Sequence, residues 1–257
     1  MRAAAQPVAG TDTAVAGAVR AIGHFLFRFR DYLVPCAVVL MLAATRPEYP
    51  GGSETLDRWT DAFGLAVALA GQMVRILVIG YAYIRRGGIN KQLAAPTLVC
   101  EGFFAHSRNP MYLGNILLLS GLAVVYNSPW VYLIGLPLFL GGILTIIRAE
   151  EHFLAERFGA EYEAYCRRVN RFLPSWRGIR ATMAGMRFDW KRVLRKEYNT
   201  AFFWLSAASF FLIWERLTHF GYAARREEIN ALLLAYAPVP IAYATIRWLK
   251  KHRRLRS

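Results

Sequence analysis

The sequence predicts an all-α fold, a polytopic membrane bundle of about six transmembrane helices with both termini in the cytoplasm. Hydrophobic residues make up 56% of the 257 residues and lie in blocks separated by basic segments. Blocks of this kind predict membrane spans, because crossing the bilayer hydrocarbon takes about 20 apolar residues at 1.5 Å per residue. The net charge of +15 lies mostly between and after the blocks, where Arg and Lys orient spans and attract anionic lipid head groups.

Six apolar segments can be placed along the chain: 32–45, 62–84, 111–126, 130–147, 198–217 and 229–246. With the N-terminus inside, the basic stretches 1–31, 85–110, 148–197 and the tail share one side. The acidic loop 46–61 lies on the other side, so every segment agrees with the positive-inside rule. We therefore expect a multi-pass protein, in the inner (plasma) membrane if the source is bacterial. Because this arrangement explains the basic residues, nucleic-acid binding is not predicted.

Four regions follow from these spans. Residues 1–31 are predicted to form an N-terminal tail and an interfacial segment without a signal-peptide pattern. Residues 32–97 hold the first two spans, 98–175 hold a hairpin of two spans with the polar residues around it, and 176–257 hold a basic interfacial linker and two further spans. Three widely spaced cysteines, Cys36, Cys100 and Cys166, predict neither a disulfide framework nor a zinc site, and no metal is expected.

The predicted hairpin brings separated charges together. The turn signal Asn127-Ser128-Pro129 joins runs 111–126 and 130–147, so the chain returns to the face it left. Arg108 and the pair Glu150-Glu151 should then meet at that face, where a guanidinium could bind a ligand carboxylate with two hydrogen bonds. Adjacent residues on a helix point about 100° apart, so at most one of the two glutamates is expected to face a shared site directly.

Each of these residues also has a simpler interpretation. Arg108 fits a positively charged membrane anchor, and the glutamates fit a solvated helix end paired with Arg148 or Arg157. His106 could be a base or a structural residue at the interface. Candidate hydrogen-bonding residues and a packing glycine complete the set: Asn109, Tyr112 and Gly114. After the fourth span, Gly159 is expected to end a helix, and Tyr162, Tyr165 and Val169 are expected to share one face of the next.

Taken together, these residues resemble a known family. Arg-Asn-Pro-Met-Tyr-Leu-Gly at 108–114, the hairpin, Glu-Glu at 150–151 and the following pattern through Leu-Pro at 173–174 are similar to the isoprenylcysteine carboxyl methyltransferase and phospholipid methyltransferase superfamily of integral membrane enzymes. The resemblance covers roughly residues 98–175. Asn109 stands where the family usually has His, and because Asn cannot carry charge or act as a base, His106 is a possible substitute.

The resemblance implies an S-adenosylmethionine site with its opening toward the cytoplasm. Arg108 would bind the cofactor carboxylate, Glu150 or Glu151 its ammonium or ribose hydroxyls, and an aromatic ring such as Tyr112, Phe153 or Tyr165 its adenine. The implied catalytic residues are Arg108, Tyr112, Glu150 and Glu151. The implied cofactor-binding residues are His106, Arg108, Asn109, Pro110, Tyr112, Gly114, Glu150, Glu151, Tyr162 and Tyr165.

Three functions fit this pattern. The first is a membrane methyltransferase that acts on a lipophilic acceptor, such as a prenylated protein, an isoprenoid acid, a phospholipid amine or a small thiol. The second is an NADPH-dependent membrane reductase, because sterol reductases resemble the same C-terminal module. Paired glutamates would repel a 2′-phosphate, which favours the methyltransferase. The third is a membrane scaffold in which the charges are only anchors. No pattern in the sequence predicts an oligomeric state.

Overall fold

The computed structural model describes residues 9–81 and 97–255, which form helices and turns without a strand. The helices are α1 (Ala9–Ala44), α2 (Glu54–Tyr81), α3 (Pro110–Tyr126), α4 (Leu136–Phe158), α5 (Ala160–Arg168), α6 (Ile179–Ala184), α7 (Trp190–Ala224), α8 (Arg226–Tyr236) and α9 (Pro238–Lys251). Short 3-10 turns lie at Pro50–Gly52 and Gly102–Ala105, and the π-helical turn Val131–Gly135 leads into α4. The predicted all-α membrane bundle is confirmed.

The helices α2 and α3 pack antiparallel at very short distance. Gly71 faces the backbone of α3, where an added Cβ would lie 2.5 Å from the amide nitrogen of Leu118. Gly64 and Gly121 meet in the same way nearer the other end of the pair. Small residues permit this close approach. Lipid tails are as apolar as the helix surfaces, so helices in a membrane associate through close packing and not through the hydrophobic effect.

Buried polar side chains join α7 to this pair. Arg75 on α2 donates from Nε and Nη2 to the two carboxylate oxygens of Glu197 on α7, at 2.8 and 2.7 Å. Gln72 also donates to Glu197, and its side-chain oxygen accepts from the indole nitrogen of Trp204 at 2.9 Å. An apolar cluster that includes Leu118, Val125 and Phe211 lies between the same three helices.

The remaining long helices lie outside this core. α4 packs mainly against α1, where an added Cβ on Gly23 would come within 2.6 Å of the Cβ of Ala149. α9 has no buried residue, and large apolar side chains on the outer helices are exposed, for example Leu40 at 69%, Leu138 at 71% and Leu234 at 77%. Exposed apolar surface of this kind on long helices is typical of a protein in contact with lipid.

Three helical segments of the described residues are long and apolar enough to cross a membrane: Glu54–Tyr81, Val131–Phe158 and Arg226–Lys251. The segments Pro35–Ala44 and Pro110–Tyr126 are apolar but shorter. Helix α7, which contains the predicted fifth span, is not among these segments, since Glu215 and Arg216 lie at the end of its apolar stretch. The count of six spans and the cytoplasmic termini stay predictions.

Two predicted boundaries were wrong. Helix α1 begins at Ala9, inside the segment expected to be a tail, because alanine-rich sequence has high helix propensity. Helix α2 begins at Glu54, inside the predicted loop 46–61, because the Ser53 hydroxyl accepts from the Leu56 amide and caps the helix. The predicted end of the second span at residue 84 lies outside the described residues.

The predicted hairpin turn is present. Asn127 adopts a left-handed conformation with φ of 45° directly after α3, a conformation that Asn tolerates better than most residues. Its amide donates to the carbonyl of Ala123 at 3.0 Å, and its side chain donates to the carbonyl of Glu48. α3 and α4 therefore run in opposite directions from a turn fixed to the loop before α2.

We predict that Gly71→Ala destabilises the protein, because the new methyl group would overlap the backbone of α3. Overpacking of this kind typically costs about 1–3 kcal/mol. The matched control is Gly141→Ala, at an exposed position on α4 with open space around it. Thermal unfolding in detergent should show a lower midpoint for the first variant and an unchanged or higher one for the second. Equal midpoints would contradict the close contact.

Candidate active site

The start of α3 is joined by backbone hydrogen bonds to the segment that follows α5. The amides of Arg108 and Asn109 donate to the carbonyls of Asn170 and Arg171 at 2.9 and 3.1 Å, and the amide of Ser175 donates to the carbonyl of His106 at 2.9 Å. Pro110 then opens α3 at a position where no amide hydrogen is required. This pairing fixes the side chains where the start of α3 meets the C-terminal half of α4, a region that we call the entrance.

Glu151 lies between two guanidinium groups. Its Oε1 is 3.0 Å from Nη1 of Arg108, and its Oε2 is 2.6 Å from Nη2 of Arg171. The Arg108 and Glu151 side chains are only 16% and 14% exposed, so the pair is poorly screened by water. The hairpin thus brings Arg108 and the acidic pair together as the sequence predicted. Neither Arg148 nor Arg157, the partners of the simpler interpretation, pairs with Glu151.

Glu150 has a different contact. Its Oε1 accepts a hydrogen bond from the Tyr112 hydroxyl at 2.8 Å. Both glutamates therefore contact candidate site residues, because their partners are also spread apart: Tyr112 lies within α3 and Arg108 just before it. That at most one of the two glutamates faces a shared site directly stays a prediction.

Tyr162 and Tyr165 on α5 share one face with Val169, as their spacing predicted, and this face lies beside Glu151 and Arg108. Tyr162, Tyr165 and Val169 form a buried cluster, and the Tyr165 hydroxyl donates to the carbonyl of Phe104 at 2.8 Å. Burial raises the pKa of the Tyr162 phenol, and the negative charge of Glu151 raises it further. Burial likewise raises the pKa of Tyr165. Both tyrosines therefore stay neutral at physiological pH and act as hydrogen-bonding and packing groups.

Arg108 retains an unused donor. Its Nη1 lies 2.9 Å from the Cys166 sulfur as well as near Glu151, but its Nε is buried and has no hydrogen-bond partner among the described residues. A buried N–H group without an acceptor is unfavourable in a folded protein. An acceptor group of a ligand would remove this penalty.

Three other predicted residues have structural contacts. Both ring nitrogens of buried His106 are engaged, Nδ1 with the carbonyl of Ser175 at 2.7 Å and Nε2 with the Thr182 hydroxyl at 2.8 Å. The side-chain amide of Asn109 donates to the carbonyl of Arg171 at 3.3 Å. Gly114 faces α2, where an added Cβ would lie 2.6 Å from Cγ of Arg75. These contacts stabilise the entrance and the helix pair beneath it.

The chain is similar to a known protein family. Residues 59–161 match the family described as phospholipid methyltransferase. The predicted family resemblance is confirmed. The matching region runs from α2 into the start of α5, so it includes Arg108, Tyr112, Glu150 and Glu151.

A curated relative is also similar to the chain. It is the cobalt-zinc-cadmium resistance protein CzcN of Cupriavidus metallidurans, which is 29% identical over 162 residues, or 62% of this chain and 70% of the relative. No solved structure matches the chain.

The contact of Arg171 with Glu151 was not predicted from the sequence. The residue stands two positions before Leu173-Pro174 in the motif that carried the resemblance, but no partner was assigned to it. Its guanidinium makes two hydrogen bonds to Glu151, and these bonds raise its pKa, which keeps it charged. The fixed spacing of Arg171 before Leu-Pro was the available signal.

We predict that Glu151→Gln lowers the free energy of unfolding, because it leaves two guanidinium groups beside a neutral amide. Hydrogen bonds to charged groups are worth about 1.5–3 kcal/mol. The matched control on the same helix is Glu156→Gln, whose side chain is 59% exposed and pairs with His152; it should change stability by less than about 0.5 kcal/mol. Hydrogen exchange should also become faster in residues 169–175 in the first variant alone. Equal exchange in the two variants would show that Glu151 does not hold this segment.

Proposed function

We propose that the protein is an integral membrane methyltransferase that transfers a methyl group from S-adenosylmethionine to a lipophilic acceptor. The observation that carries the proposal is the group of charges at the entrance between α3 and α4, where Arg108, Arg171, Glu150 and Glu151 meet. The group lies at the motif that resembles the family, and most of it falls within the residues that match it.

The chemistry of these side chains fits the cofactor. Its amino acid part carries one carboxylate and one ammonium group, so it adds no net charge to a site with two guanidinium groups and two carboxylates. The buried Nε of Arg108 has no acceptor among the described residues and suits the cofactor carboxylate. Glu150, oriented by the Tyr112 hydroxyl, suits the ammonium or the ribose hydroxyls.

When bound, the cofactor would supply a methyl group on a positively charged sulfur, which an acceptor can take by in-line displacement. The protein's part is to hold and orient: Glu151 fixes Arg108 and Arg171, and Tyr112 fixes Glu150. The neutral phenols of α5 exclude water from the wall of the site. Positioning and exclusion of water are the main sources of rate enhancement for such a transfer.

The nature of the acceptor follows from the available bases. A carboxylate or thiolate acceptor is already deprotonated and needs no general base, whereas an amine must lose a proton. His106, just before α3, has both ring nitrogens engaged in structural hydrogen bonds, and His152 on α4 pairs with Glu156. This favours an acidic acceptor that enters from the bilayer, with the cofactor entering from the cytoplasm.

The cofactor assignment predicts binding of S-adenosylhomocysteine, measured by isothermal titration with purified protein. Arg108→Ala, and Glu150→Gln combined with Glu151→Gln, should each weaken binding at least tenfold, because removing one partner of a buried charge pair costs about 2–5 kcal/mol. The control Arg167→Ala removes an exposed guanidinium of α5 and should leave binding unchanged. Unchanged binding in the site variants would contradict the site, and tight binding of NADPH instead would favour the reductase.

The acceptor class predicts the chemical stability of the product. Membranes that contain the protein are supplied with cofactor labelled in its methyl group, and the labelled lipid fraction is treated with base. A methyl ester releases the label as methanol, whereas a thioether and an N-methyl amine both retain it. Mass spectrometry then assigns retained label to sulfur or nitrogen, and an ester or a thioether agrees with an acidic acceptor. Label on nitrogen would contradict this choice while leaving the cofactor assignment intact. Membranes with the Arg108→Ala variant are the control and should show no labelled product.

A further inference from the structure

Three carboxylates meet at the end of the bundle farthest from Arg108. Asp57 and Asp61 lie on the first turns of α2, and Glu215 lies near the end of α7. One side-chain oxygen of each lies within 4.8 Å of those of the other two. The residues are 1%, 6% and 1% exposed, so the carboxylates are almost completely removed from water.

The surrounding described residues give these three carboxylates few positive charges and hydrogen-bond donors. Arg216 is the one cation of the described residues within ion-pair distance of them, 3.1 Å from Glu215 and 3.6 Å from Asp61. The same guanidinium is also 3.6 Å from Glu228, so its charge is shared further. In addition, one oxygen of each of the three carboxylates is buried without a hydrogen-bond partner in the described part of the chain: Asp57 Oδ1, Asp61 Oδ2 and Glu215 Oε1.

Buried carboxylates need a positive partner, and the donor set indicates which one. All three donors are carboxylate oxygens, which hard divalent cations such as Ca²⁺, Mg²⁺ and Mn²⁺ prefer. Oxygens on opposite sides of a Ca²⁺ ion lie about 4.6–5.2 Å apart, since each Ca–O bond is about 2.3–2.6 Å long. Oxygens no more than 4.8 Å apart can therefore bind one ion together.

We propose that Asp57, Asp61 and Glu215 form a binding site for a hard divalent cation that joins α2 to α7. The site is independent of the proposed methyl transfer, because it lies at the other end of the α2–α3 pair. Beside it, partly exposed ion pairs join Arg225 to Glu54 and Glu228. The sequence predicted no metal, since the pattern of residues along the chain does not bring Asp57 and Asp61 to Glu215.

The site is tested with full-length protein in detergent, first treated with EDTA and dialysed. Mn²⁺ is the probe, because its electron paramagnetic resonance signal is lost on binding, and Ca²⁺ and Mg²⁺ are added as competitors. We expect one Mn²⁺ per chain and a higher unfolding temperature when any of the bound ions is present. Asp61→Asn combined with Glu215→Gln should weaken Mn²⁺ binding at least tenfold and abolish the temperature shift.

The matched control is Glu54→Gln, which removes a half-exposed carboxylate at the same end of the bundle and should retain Mn²⁺ binding. If the double variant does not fold, Asp57→Asn alone provides the same comparison. Two results would overturn the site: no Mn²⁺ bound by the unaltered protein, or equal binding by the double variant. A double variant that is more stable than the unaltered protein in EDTA, with no metal effect on either, would show carboxylates that share protons instead.

Discussion

The architecture depends on the contact between α2 and α3. Gly64, Gly71 and Gly121 allow the two backbones to touch, and Gly114 makes room for the stem of Arg75. In lipid, such close packing replaces the hydrophobic driving force that joins helices in water. The pair then sets the position of everything else: the entrance with Arg108 lies at one end and the three buried carboxylates at the other.

The two ends of the α2–α3 pair differ in the balance of their positive and negative side chains. At the entrance, Glu150 and Glu151 lie with Arg108 and Arg171, and these four charges sum to zero. At the far end, acidic groups outnumber the single nearby guanidinium of Arg216. A balanced group can accept a zwitterion without a change of charge, whereas an unbalanced acidic group favours a cation or a proton.

Much of the entrance could be predicted from sequence because its determinants are local. Turn residues at 127–129 between two apolar runs were enough to bring Arg108 to Glu151, and helical spacing was enough to place Tyr162 beside Tyr165. The role of Arg171 was not predictable in this way, since it depends on how the loop after α5 folds back to the start of α3. The contact of Glu150 with Tyr112 depends on how α4 is rotated against α3. The cluster at Asp57 depends on packing between α2 and α7, which no local pattern encodes.

The Arg75–Glu197 ion pair has a consequence for how this chain can be divided. Arg75 belongs to the region that matches the family, and Glu197 lies beyond it, in a helix that the match does not include. A chain cut after Pro174 would leave the buried guanidinium of Arg75 without the carboxylate that pairs with it. The last third of the protein thus supplies the counter-charge for a residue of the first third.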